Sequence, residues 1–159
     1  MKTSIKKGVG FGLTSGVITT LGMIVGLNAT TQSRIAVLGG IIAIAIADAF
    51  SDAVGIHISE ESEDKHTTQE IWEATAATFV SKFVIAFTFM VPVVFLNLHA
   101  ALIASVVWGL SLIVLFSYYM AVQQAVKPHQ VISEHVAIVV VVIIVTHYVG
   151  KGVAAVLQG

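Results

Sequence analysis

The stretch Ile35-Ala-Val-Leu-Gly-Gly-Ile-Ile-Ala-Ile-Ala-Ile-Ala-Asp48-Ala-Phe-Ser-Asp52-Ala-Val-Gly-Ile-His57 decides the fold. It is too long and too apolar for anything but a membrane-spanning helix, since about 20 such residues cross the hydrocarbon core. Two carboxylates sit inside it, four residues apart, so a helix places both on one face. A carboxylate at the bilayer centre costs about 2.5–3.5 kcal/mol even on lenient insertion scales. A cation, a proton or a partner across a polar cavity is what normally offsets that cost. The pair therefore points to ion or metal handling inside a small helical membrane protein.

Working outward, four more apolar segments of similar length are present, and the expected spans are about 8–27, 34–58, 71–95, 101–122 and 134–157. The segment Val139-Val-Val-Val-Ile-Ile-Val145 has strand propensity, but an open sheet cannot sit in lipid, so it is read as helix. The expectation is an all-α, polytopic protein with one transmembrane domain over residues 1–159. The first span follows Met1-Lys-Thr-Ser-Ile-Lys-Lys7 without a clean cleavage site, which marks it as a retained helix rather than a signal peptide. Basic residues set the orientation. Lys2, Lys6, Lys7, Lys65 and Lys127 fall on one side, Arg34 and Lys151 on the other, and Lys82 inside the third span. That predicts a cytoplasmic N-terminus and a C-terminus outside.

Composition agrees. Hydrophobic residues make up 57% of the 159 and charged residues 11%, against about 25% charged in soluble domains. A net charge of −1 argues against nucleic acid as a partner; the partner that composition points to is the lipid bilayer. There is no cysteine, so any metal is held by oxygen, imidazole or thioether donors, a set suited to Mg, Ca, Mn and Fe(II). No nucleophile triad, phosphate loop or His-Glu-x-x-His is found, and an enzyme is not expected.

Asp48 and Asp52 form the leading site. Two close carboxylates disfavour double ionisation, which suits one bound cation or one shared proton. The structural alternative is that they hydrogen-bond Ser15, Thr19 or Lys82 on neighbouring helices. Lys82 is either their counter-ion and proton relay or a side chain that snorkels to the interface. His57, Glu60, Glu61 and Asp64 continue the second helix at its far end. They read as a metal-collecting patch, with His66, Glu70 and Glu73 opposite, or as a solvated acidic loop. His147 and His135 read as proton relays or as packing residues. Gly8, Gly12, Gly16, Gly22 and Gly26 form a small-residue ladder suited to close helix approach, and a homodimer is expected to pack mainly through this first helix.

Several segments carry a family resemblance. Gly12-Leu-Thr-Ser15-Gly-Val-Ile-Thr-Thr-Leu-Gly-Met-Ile-Val-Gly26-Leu, Ala49-Phe-Ser51-Asp52-Ala-Val-Gly55-Ile56-His57-Ile-Ser59, Met90-Val-Pro92 and Val145-Thr-His-Tyr148-Val-Gly150-Lys151 follow one another in order. Together they resemble the vacuolar iron transporter family, with its nodulin-21-like members, in a short form without the cytoplasmic metal-binding insert. The resemblance implies five helices, a homodimer with a shared central pathway, and a divalent cation exchanged for protons. The metal is then a substrate, and no permanently bound cofactor is implied. Where the family has an acidic residue in the first helix this chain has Ser15; its second-helix Met and Glu are Asp52 and Ile56. The rival expectation, resting on those replacements, is a non-transporting membrane module, a sensor or assembly partner that kept the fold and lost the metal site.

Overall fold

The computed structural model describes residues 2–158, and every element in it is a helix: α1 (Thr3–Thr31), α2 (Arg34–Ser62), α3 (Thr68–Thr88), α4 (Met90–Phe95), α5 (Leu98–Gln123) and α6 (Pro128–Gln158). With α3 and α4 counted as one span, five helices are long and apolar enough to cross a membrane. At 1.5 Å per residue, a 29-residue helix such as α1 or α2 runs about 43 Å, beyond the ~30 Å hydrocarbon core. The helix ends therefore project past it, and each span exceeds the length its apolar run alone suggests.

The polar flanks extend the helices by capping them. The Ser33 hydroxyl accepts from the Ala36 N–H at the start of α2. Thr67 and Glu70 form a reciprocal capping box that starts α3 at Thr68, three residues before its apolar run. Asn97 Oδ1 accepts from the Ala100 N–H at 2.9 Å, so 98–100, outside the expected spans, is already helix. Pro128 opens α6 six residues before the expected start at 134, in the first-turn position where its missing N–H costs nothing. Pro92 has the opposite effect. It has no N–H to give the Thr88 carbonyl, and the helix breaks at Phe89 between α3 and α4.

α1 is the central helix. Half of its apolar window is buried, 50% against 11% for α6, and α3, α6, α2 and α5 all pack on it. The core runs through Val17, Leu21, Ile24, Val37, Ile41, Phe89, Val93, Ile113 and Val139. Lipid tails are as apolar as these side chains, so close packing rather than water exclusion holds the bundle. The glycines allow it. A Cβ on Gly12 would overlap Ser81 Oγ and lie 2.5 Å from the Thr78 carbonyl oxygen of α3. A Cβ on Gly22 would lie 2.9 Å from Val142 of α6. The ladder on α1 is thus occupied inside the chain, which overturns the expectation that it forms a homodimer seam.

Contacts at the helix ends fix the up-and-down order. The N-terminal end of α1 meets the end of α2 and the start of α3, where Lys2 pairs with Glu73 and Lys7 with Glu60. At the opposite end, Arg34 donates to the Leu96 carbonyl and Thr30 to the Gly150 carbonyl, the latter at 3.2 Å. Large apolar side chains such as Ile35, Phe95, Leu115 and Val156 point outward, as a lipid-facing surface requires. The protein is an integral, multi-pass membrane protein on this evidence.

Candidate site at the α1–α2–α3 junction

Lys82 lies near the middle of the third span and is 1% exposed. Its ammonium is 2.6 Å from Asp48 Oδ2, bonds Asp52 Oδ2, and donates to Ser15 Oγ at 2.9 Å. Ser15 in turn donates to Asp52 Oδ2 at 2.6 Å. Three helices thus meet in one polar cluster. α2 brings both carboxylates to one face through the i, i+4 spacing. α3 supplies the cation, and α1 the hydroxyl. Gly16 beside Ser15 leaves room for the stem of Lys82, whose Cγ would lie 3.3 Å from a Cβ there.

Of the two readings of Lys82, the counter-ion is the one realised, and snorkelling is not. A buried ammonium without partners is strongly disfavoured; here it donates to Asp52 and Ser15 and forms an ion pair with Asp48. Thr19 is not in the cluster, since its hydroxyl donates to the Ser15 carbonyl one turn back. Asp48 and Asp52 keep side-chain exposures of 28% and 19%. The carboxylates are therefore approachable from the outer face of α2, while the ammonium is sealed behind them.

The rest of the expected site lies elsewhere. His57 shares a hydrogen bond of 3.0 Å with Thr75 and meets the edge of the Trp72 ring. Glu60 is buried, 2% exposed, at the end of α2. One of its oxygens pairs with Lys7, and the other lies 3.4 Å from His66 Nε2. Glu70 caps α3 and Glu73 pairs with Lys2. Glu61 is exposed, and Asp64 lies past the helix with φ 52°. The patch expected here for collecting metal is thus mostly engaged in ion pairs and caps that tie α1, α2 and α3 together. Among the described residues no group of three His, Cys, Asp or Glu is placed to hold a metal ion. His135 shares a 2.8 Å hydrogen bond with Ser117, a packing role between α5 and α6. His147 sits at the far end of the bundle, apart from the cluster.

Sequence reasoning passed over two features. The burial of Glu60 was one; Lys7, the partner that makes it tolerable, is distant in sequence and its pairing has no local signature. The other is a group of polar side chains around His147, described below. Compared with known proteins, the chain matches no protein-family model and no curated protein.

Proposed function

We propose that the chain is a membrane transporter of a divalent metal cation, iron- or manganese-like, exchanged for protons at Asp48, Asp52 and Lys82. The observation that carries this reading is the buried ammonium seated against both carboxylates of one spanning helix. A cation bound by Asp48 and Asp52 would take the place that ammonium occupies.

The charge count makes the exchange concrete. Two carboxylates and one ammonium leave one negative charge in excess, which a proton on the pair neutralises. A divalent cation neutralises both carboxylates by itself. Its entry then expels the shared proton and the one that Lys82 gives up. The two neutral states differ by one divalent cation against two protons. Carboxylates bind metal only when deprotonated, so proton and metal compete directly. Two carboxylates and the Ser15 hydroxyl are hard oxygen donors, which favour Mn-like ions over soft ones.

In this reading the protein works as a homodimer, with the N-terminus cytoplasmic and the C-terminus outside. The α1 glycines are already occupied, so we place the second copy on α2. Beside the half-exposed aspartates, Gly39, Ala43, Ala47, Ser51 and Gly55 repeat every fourth residue on the outer face, and a Cβ at Gly39 or Gly55 would meet nothing within 4 Å. Small residues at that spacing admit a close second helix. A cysteine at Ser51 should cross-link two copies in lipid, whereas one at Leu115 should not.

The test of transport is purified protein in liposomes with a pH dye inside and Mn²⁺ outside. Metal uptake should make the lumen more alkaline, and Asp52→Asn should abolish both signals. Uptake no faster than in empty liposomes would favour the second reading. That reading is a non-transporting module in which the same cluster staples α1, α2 and α3, and the full set of partners around Lys82 is the observation in its favour.

A further inference from the structure

At the end of the bundle away from Lys7 and Glu60, three helices border an open cavity of about 490 Å³. Its polar lining is Asn28 and Gln32 from the end of α1, His99 from the first turn of α5, and His147 and Lys151 from α6. His147 and Lys151 are spaced i, i+4 on α6 and face the same way, while Gln32 follows the last turn of α1 with φ 48°. Among the described residues none of these five side chains has a hydrogen-bond or ion-pair partner; His147 meets only the edge of the Tyr148 ring. Other polar side chains of the bundle also lack partners; what sets these five apart is that they line one cavity.

Their charge is one-sided. All nine acidic residues lie elsewhere: Asp48 and Asp52 at the central cluster, and Glu60, Glu61, Glu63, Asp64, Glu70, Glu73 and Glu134 toward the other end. The cavity is lined by one ammonium, two imidazoles and two amides, with no carboxylate. Leu98 and His99, which also line it, are the first two residues of a 26-residue helix. Their backbone N–H groups have no intrahelical partner, and the Asn97 side chain takes the Ala100 N–H instead. The carbonyl end of α1 is the one opposing element, worth about half a charge. A full ammonium outweighs it.

We propose that this cavity binds a phosphate group. Its donors are the Lys151 ammonium, the His99 and His147 ring N–H groups, the Asn28 and Gln32 amides and the first N–H groups of α5. The cavity lies at one end of the bundle, by the end of α1 and the start of α5, so both a lipid headgroup and dissolved inorganic phosphate can present this chemistry. The site is separate from the Lys82 cluster and does not depend on the transport reading.

The experiment uses the full chain purified in a neutral detergent. Calorimetric titration with inorganic phosphate is run beside native mass spectrometry with phosphatidic acid and with diacylglycerol as the phosphate-free comparison. One bound equivalent of phosphate or of phosphatidic acid is expected, and which of them binds identifies the source. Lys151→Gln should weaken it about tenfold, the loss of one charge-assisted contact. Lys151→Arg should retain it, and Lys127→Gln at the other end should leave it unchanged. Lys151 is exposed, so these variants should melt with the parent. Three results would overturn the proposal: no binding of either phosphate species, diacylglycerol binding as well as phosphatidic acid, or an affinity unmoved by Lys151→Gln. Binding of Zn²⁺ instead of phosphate, lost in His99→Ala and strengthened in Lys151→Gln, would show a metal site and equally end it.

Discussion

Lys82 and Asp48 meet at 2.6 Å across α3 and α2, with the ammonium fully enclosed and the carboxylate partly open. The asymmetry matters energetically. Removing a carboxylate leaves the ammonium another acidic partner, whereas removing the ammonium leaves two neighbouring carboxylates facing each other in a membrane.

Lys82→Met should therefore destabilise the protein by about 3 kcal/mol, the low end for breaking a buried pair, because the carboxylates retain some exposure. Adding Asp52→Asn to it should recover part of that loss, since the uncompensated negative charge falls by one. Thermal unfolding of both variants in detergent, followed by circular dichroism, measures the difference. A single variant as stable as the parent would show that the cluster does not hold the helices together.

Gly12→Ala should cost about 1–3 kcal/mol, the usual penalty for overpacking, because its Cβ would overlap Ser81 Oγ and crowd the Thr78 carbonyl. Gly55→Ala should have the opposite sign and stabilise by up to about 1 kcal/mol, since the helix gains propensity where nothing lies within 4 Å. Measured in dilute detergent, where copies are apart, the Gly12 effect should persist undiminished, because its partner is α3 of the same chain. A loss that appears only where copies associate would return the α1 ladder to the dimer seam.

Asp52→Asn should lower Mn²⁺ affinity far more than Asp64→Asn. Asp52 shares its cluster with a sealed ammonium, whereas Asp64 lies in an exposed loop where charges are screened within about 10 Å. Affinity of the parent should also fall as pH is lowered, because protons then occupy the carboxylates that the metal needs. Calorimetric titrations at several pH values read both effects, and equal small losses in the two variants would favour the structural role of the pair.

Pro92→Ala should restore an N–H to the Thr88 carbonyl and join α3 to α4. The Trp108 indole N–H donates to the Thr88 hydroxyl at 3.0 Å, so it reports the change. In a Trp72→Phe background, where Trp108 is the only tryptophan left, its fluorescence maximum should shift. An unchanged spectrum would mean that the break at Phe89 does not arise from Pro92.

Much of the architecture is legible in the chain itself. Five apolar runs of about 20 residues admit only helices in lipid, because every backbone polar group must be paired within its own segment. The caps at Ser33, Thr67 and Asn97 are local as well, and they account for the helices outrunning their apolar cores. The shared face of Asp48 and Asp52 follows from 3.6 residues per turn. What local spacing does not contain is the rotation of each helix against its neighbours, which side-chain interdigitation between distant segments decides. Whether Lys82 snorkelled or turned inward depended on the glycine-lined surface of α1 against α3. The partners of the α1 glycines, the burial of Glu60 under Lys7, and the meeting of His99 with His147 and Lys151 were settled the same way. Each joins residues from different helices, and only the packed bundle brings them within reach.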